Sequence, residues 1–253
     1  MKKKQQFNIS SYYLLLKYLN SLKLSFRKFH ENIKKGKNIL MRHDVDFCPE
    51  KALEIAKLEK KQNVKSTFFF LVNTNFYNLN ATENSEIILE IIRLGHDIGL
   101  HFDASFSKTS RSLHFNCRKE VETLEHIINK KVNIISFHRP AEFLLSYNRK
   151  VSGLNHTYMK KFTKNIYYCS DSQGLWRFSS PQDILKSVYK KDFTLQLLTH
   201  PIWWTTPAKY SSAEKIDLHL KKKYDYYKLL AAHNCIPFAK YLKKYKINTK
   251  RNK

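Results

Sequence analysis

ILMRHDVDFCPE, residues 39–50, is the stretch on which the reading of the fold turns. NILMRHD (38–44) reads as a strand, and its apolar run ends in Arg42, His43, Asp44 and Asp46. Pro49 then suits the first turn of a helix over PEKALEIAKLEKKQ, where the N–H that proline lacks would have no helical partner anyway. In an extended chain residues i and i+2 share a face, so Asp44 and Asp46 point the same way with Val45 opposite. Two close carboxylates repel unless a cation or an arginine neutralises them. Alone, an Asp-x-Asp is a turn-initiating pair; at the end of a buried strand it is also the rim of a site.

Outward from this stretch, short apolar runs alternate with helical patterns. VKSTFFFLV (64–72) is continuous and β-rich, as a buried strand is. SEIILEIIRLG is a helix closed by Gly95, and HDIGLHF is a strand. A helix through about 117–129 leads to strands at VNIISFH (132–138), NIYYCS (165–170) and FTLQLLTH (193–200). Ser180-Pro181-Gln182-Asp183 opens a helix by the cap-plus-proline rule, and Ser211 to Glu214 is a capping box for the last long one. Strands alternating with helices imply a mostly parallel sheet with helical crossovers: a barrel-like α/β domain, or a doubly wound sheet as the competing architecture. The expected organisation is an N-terminal helical extension (1–36), one barrel domain (37–240) and a basic tail (241–253).

In parallel α/β folds, sites lie at the C-terminal ends of strands. Those ends carry Asp44 and Asp46, His101 and Asp103, His138 and Arg139, Asp171, and His200. Solvated loops do not call for His, Asp and Arg at so many strand ends, so the pattern favours a site rim. His101 with Asp46 makes a plausible divalent-metal pair. His138 and Arg139 are neighbours, which on a strand face opposite ways unless the turn at Pro140 intervenes. Trp203 and Trp204 beside His200 suit either core packing or stacking on a sugar.

The bulk numbers set limits. The chain has 253 residues, 42% of them hydrophobic, enough for a real core. Its net charge of +25 suits a polyanionic partner, or a compositional bias that charges the whole surface. No zinc-finger spacing or RNP-type motif points to specific nucleic-acid binding. The four cysteines are widely spaced, which fits reduced thiols and a cytoplasmic location. The start, MKKKQQFNISSYYLLLKYLN, has too short an apolar core for a signal peptide, and no stretch approaches the ~20 apolar residues of a membrane span.

RHDVD, STFFFL, GHDIGLH, FHRP, Asp171 to Trp176 and LLTH occur in that order. Over about residues 38–204 the sequence resembles the polysaccharide deacetylase family, the NodB-like carbohydrate esterases of family 4. The resemblance implies a distorted (β/α)7 barrel and a metal-dependent hydrolase that removes N-acetyl groups from amino sugars, with zinc or a similar divalent ion as cofactor. Carried over, Asp44 is the general base and Asp46 a metal ligand. The family's aspartates are adjacent, so the intervening Val45 leaves the two roles exchangeable. His101 fits the first histidine of the family's pair, but Ser105 stands where the second belongs. His138 is then the first candidate for the third ligand and Asp103 the second. Arg139 matches the arginine that orients the base. Asp171 matches the acid that tunes the catalytic histidine, and Trp176 the wall of the acetyl pocket. Leu198 and His200 match the last motif, with Leu198 at the pocket, His200 as general acid and Trp203 beside them as a substrate contact.

The substrate implied for a cytoplasmic enzyme is a nucleotide- or lipid-linked N-acetyl sugar used in surface polysaccharide or lipopolysaccharide synthesis. The basic surface suits such phosphorylated carriers and peripheral association with the inner face of a membrane. Ser105 also keeps open a related C–N hydrolase (a deformylase, or one without metal) and a catalytically silent glycan-binding protein.

Overall fold

The computed structural model describes residues 7–244. The chain divides into two compact units, Met1–Ala208 and Lys209–Lys253, a division that falls before the end expected for the barrel at 240. Lys2 to Lys4 and most of the basic tail lie outside the described residues. The second unit consists of the helices Ser212–Asn234 and Ile236–Lys244, the first opened by the expected capping box of Ser211 and Glu214.

The first unit is built on eight strands: β1 (Ser25–Arg27), β2 (Lys37–Val45), β3 (Thr67–Leu71), β4 (Asp97–Asp103), β5 (Ile134–His138), β6 (Asn155–His156), β7 (Tyr167–Ser170) and β8 (Phe193–Thr199). All pairings are parallel, in the order β6-β5-β4-β3-β2-β8-β7. β1 pairs with β2 at Asn38–Leu40, and β3 pairs with it from Arg42 to Val45. The six expected strands are all present. β1 and β6 were not expected; at three residues and two, they carry no apolar periodicity to read. The N-terminal extension is helical at Ile9–Ser21, capped by Asn8, and also supplies β1.

The sheet curls into an open, distorted (β/α) barrel, and one side chain shows why. Arg42, on β2, bonds to Ser136 on β5 and to Gln196 on β8. Three strand spacings of ~4.8 Å put β5 about 14 Å from β2 in a flat sheet, twice what an arginine spans. Only strong curvature brings β5 and β8 to the same guanidinium. Below it, Phe29, Leu40, Phe69, Ile134 and Phe162 form an apolar cluster.

Gly99 on β4 faces this interior, and a Cβ there would lie 2.5 Å from the Phe69 ring and 3.0 Å from the Ile134 carbonyl oxygen. Gly99→Ala is therefore expected to lower the unfolding free energy by ~1–3 kcal/mol through overpacking, read from the denaturant midpoint.

The buried His156 imidazole makes one hydrogen bond, Nε2 to the Arg149 carbonyl at 3.1 Å, while Nδ1 has no partner. Burial pushes its pKa down to about 4 from the usual 6.5, and the Arg149 carbonyl only partly offsets this. The folded protein thus resists the proton that the unfolded chain accepts. Stability is expected to hold above pH ~6.5 and fall as the pH drops toward 4, with His96, also lowered by burial, adding to the slope. His156→Gln should flatten the slope in that window, as seen in denaturant titrations at stepped pH.

Candidate active site

β2 sends its polar residues to two destinations. Arg42, Asp44 and Asp46 face the barrel interior; His43 and Val45 face the helices. On the outer side His43 Nδ1 meets Thr199 Oγ1 at 2.7 Å, and Nε2 meets Glu59 at 2.9 Å. Glu59, fully buried, also accepts from Tyr12 and Ser66 at 2.6 Å each. Burial alone would raise its pKa, but His43 and His96 hold it below the usual range. This network ties the N-terminal helix to the back of the sheet.

On the inner side, Arg42 holds Asp44 by two parallel bonds, Nε to Oδ1 at 2.8 Å and Nη2 to Oδ2 at 2.7 Å. Both side chains are almost fully buried. The remaining guanidinium donors go to Thr157, Gln196 and Ser136. Burial would raise the Asp44 pKa; Arg42, then His101, bring it below the usual value. Asp44 is thus an oriented carboxylate, and each oxygen keeps a lone-pair direction free.

Arg139 does not reach Asp44. Its backbone turns into the left-handed region (φ 43°), which carries the side chain out of the barrel to 74% exposure, and Nη2 donates to Asp103 Oδ2 at 2.9 Å. The residue that orients Asp44 is Arg42, which the sequence reading passed over. The i, i+2 rule that paired Asp44 with Asp46 also places Arg42 on their face, and that was the available signal.

Three ligand-type atoms converge above Asp44. His101 Nε2 lies 3.2 Å from Asp46 Oδ1 and 3.1 Å from His138 Nδ1, and His138 Nδ1 lies 3.5 Å from Asp46 Oδ1. Metal bonds of ~2.0–2.1 Å at tetrahedral angles place ligand atoms about 3.3 Å apart, so the triangle has the size zinc requires. Asp46 Oδ1 is buried with no hydrogen bond of its own, and two imidazole nitrogens face each other; a shared cation satisfies all three atoms. His101 Nδ1 sits 3.2 Å from the Ser136 carbonyl, an acceptor that keeps the proton on Nδ1 and leaves Nε2 bare for a metal. Of the candidates for third ligand, the structure brings His138 to Asp46 and His101. Ser105 is exposed and donates its N–H to Asp103 Oδ1 at 3.0 Å, and Asp103 is occupied by that bond and by Arg139.

His200 completes the cluster, its Nε2 3.9 Å from Asp46 Oδ2. Nδ1 bonds to Asp171 Oδ1 at 2.6 Å, and Asp171 also accepts from the His200 backbone and from Trp204 Nε1 at 2.7 Å. Burial would lower the His200 pKa, but Asp171 chiefly, with Asp46 and Asp44, raises it to about 9. Between the two groups, a cavity of about 10 Å³ is lined by Asp44, Asp46 and His200, close to the room one water needs.

The apolar candidates are placed differently. Leu198 is buried on β8 beside Arg42. Trp176 packs in an aromatic group, with ring centroids 5.4 Å from Phe7 and 5.8 Å from Trp204. Trp203 is only 5% exposed, so it packs in the core and offers no face for stacking on a sugar, contrary to its expected place as a substrate contact.

No family model and no curated protein matches the sequence. Among solved structures, the chain is similar to a CE4 family pseudoenzyme from Bacillus anthracis (TM-score 0.40, 18% identity, 73% of this chain and 59% of that one). It is also similar to the Streptococcus pyogenes deacetylase PplD in complex with acetate (TM-score 0.46, 10% identity, 85% and 88%). A third is the peptidoglycan deacetylase PdaC from Bacillus subtilis (TM-score 0.44, 14% identity, 74% and 85%). The chain spans about three fifths of the length of the pseudoenzyme.

Two predictions follow from the geometry. Arg42→Met strands the buried Asp44 carboxylate and should cost ~3–5 kcal/mol of stability, while Arg42→Met combined with Asp44→Leu should recover most of it in denaturant titrations. Calorimetric titration with Zn²⁺ should give tight, near-stoichiometric binding. His138→Ala should weaken it by more than the ~10–100-fold that follows loss of a ligand's hydrogen-bond partner, and Ser105→Ala should leave it unchanged.

Proposed function

We propose that this protein is a divergent polysaccharide deacetylase that hydrolyses the N-acetyl group of an amino sugar, a precursor in surface polysaccharide synthesis. The observation that carries the reading is that the arginine-held carboxylate of Asp44 and the aspartate-held imidazole of His200 line one water-sized cavity, together with Asp46 of the zinc-sized ligand triangle. Asp46, His101 and His138 would hold a divalent ion such as zinc, whose chemistry there is to acidify water and to polarise a carbonyl oxygen.

The chain's own residues do the rest. Asp44, anionic and fixed by Arg42, accepts a proton from the water as its oxygen bonds to the acetyl carbon. His200, held protonated by Asp171, faces the same cavity and gives its Nε2 proton to the amide nitrogen as the C–N bond breaks. Acetate and the free amine are the products; the proton left on Asp44 and the one lost from His200 balance through solvent. Asp44 and His200 hold opposite charges because one sits on a guanidinium and the other on a carboxylate, the separation an acid–base pair needs. The basic surface suits a phosphorylated carrier for the sugar.

With zinc supplied, turnover of N-acetylglucosamine-containing glycolipids and nucleotide sugars is expected by release of acetate. Asp44→Asn and His200→Gln should each lower kcat by on the order of 10²–10⁴-fold. Arg139→Ala should stay within a few-fold of the parent, since Arg139 contacts neither group. Zinc binding without any acetate release would leave a glycan-binding protein in place of an enzyme.

A further inference from the structure

Because every strand pairing is parallel, the segments that follow the strands all leave the sheet at one edge, the edge that holds the site. These segments carry exposed large apolar side chains: Phe76 after β3, Phe106 after β4, Phe143 and Leu145 after β5, and Leu175 and Phe178 after β7. Phe106, Phe143 and Phe178 are 70%, 58% and 68% exposed. Among the described residues the opposite edge carries tyrosines: Tyr189 before β8, and Tyr167 and Tyr168 at the start of β7, each 44% exposed or less. Scattered exposed apolar residues are normal on a protein surface; six phenylalanines and leucines gathered at one edge of the sheet go beyond scatter.

The mouth segments expose cations such as Lys108, Arg139, Arg149, Lys150 and Arg177, with exposed acids at Glu50, Glu83, Glu142 and Asp183 in the first turns of the helices that follow, and the Arg177 guanidinium lies 5.3 Å from the centre of the Phe178 ring. The opposite edge is also basic, through residues such as Lys34, Lys130 and Lys191, but its exposed apolar partners are tyrosines, with no phenylalanine or leucine among them. The mouth sets phenylalanines and leucines, which enter an acyl boundary, beside cations that meet anionic headgroups, the combination that seats a protein in a bilayer interface. Among the described residues no helix is long and apolar enough to cross a membrane, so seating at the interface is the mode these features fit. A platform for a glycan chain would call for stacked Trp or Tyr along a groove, whereas here two of the six are leucines and the rest are phenylalanines on separate segments.

We propose that the mouth of the barrel docks onto an anionic lipid surface, with Phe106, Phe143 and Phe178 inserted and Arg139, Arg149 and Arg177 on the headgroups. On the functional reading above, docking presents the site directly to a sugar carried on a membrane lipid.

The test is co-sedimentation of the full chain with vesicles of phosphatidylcholine containing ~30% phosphatidylglycerol, in ~0.1 M salt. The parent should bind, and Phe106→Ser/Phe143→Ser/Phe178→Ser should bind roughly tenfold or more weakly with its circular dichroism and melting unchanged. Lys34→Glu/Lys130→Glu/Lys191→Glu should retain most of the binding. Asp44→Asn should bind as the parent does, so loss of docking and loss of hydrolysis are scored separately. The proposal fails if the parent ignores these vesicles, if the triple serine variant binds undiminished, or if the lysine variant alone loses binding. It also fails if the serine substitutions abolish binding to a soluble N-acetylglucosamine polymer but not to vesicles.

Discussion

A guanidinium buried inside a barrel constrains everything around it. Arg42 is 1% exposed, and it has five N–H donors to satisfy without water. It finds five acceptors: both oxygens of Asp44, Gln196 on β8, Ser136 on β5 and Thr157 just after β6. Phe69 and Tyr158 lie within 5.6 Å of its centre. One side chain thereby joins β2 to strands on both sides and fixes how far the sheet curls. Removing a charge from water is expensive, and a complete partner set of this kind is what makes it tolerable. The same bonds leave Asp44 ionised and aimed upward, so the interaction that closes the barrel also prepares the base.

The residue that the sequence pointed to for this task stands outside the barrel, and the reason is local. β5 ends at His138, and the chain then turns through a left-handed residue ahead of Pro140, so Arg139 swings to the surface. Spacing along the chain cannot reveal where a strand stops being a strand. What spacing does reveal is alternation: once β2 is taken as extended, Arg42, Asp44 and Asp46 must share a face. The apolar runs were equally legible, because a parallel sheet buried on both faces writes itself as continuous hydrophobic stretches. β1 and β6, too short to carry a period, were not. Trp203 shows the remaining limit. An aromatic residue beside a site reads the same whether it walls the core or faces a ligand, and burial decides.

The two faces of β2 solve one problem twice. Inside, Asp44 is neutralised by Arg42; outside, Glu59 is met by His43, Tyr12 and Ser66, with His96 Nδ1 3.6 Å away. Each carboxylate is buried, and each is held below its usual pKa against burial by cationic or cation-capable neighbours. Because His43 also bonds Thr199, the residue before His200, the outer network braces the strand end that carries the proposed acid. Packing on the helical side and geometry on the chemical side are therefore linked through adjacent residues.

His138, the third member of the ligand-type triangle, comes from β5, so the triangle depends on strand register. Asp103 pairs with His138 and His101 with Ser136. A one-residue slip of β5 would turn His138 out of the barrel and Ser136 away from Arg42 together. The His101 ring against the Ser136 carbonyl, and Arg42 against the Ser136 hydroxyl, both act on the residue that sets that register. The ligand-type triangle thus depends on the same layer of polar contacts that holds the barrel in shape.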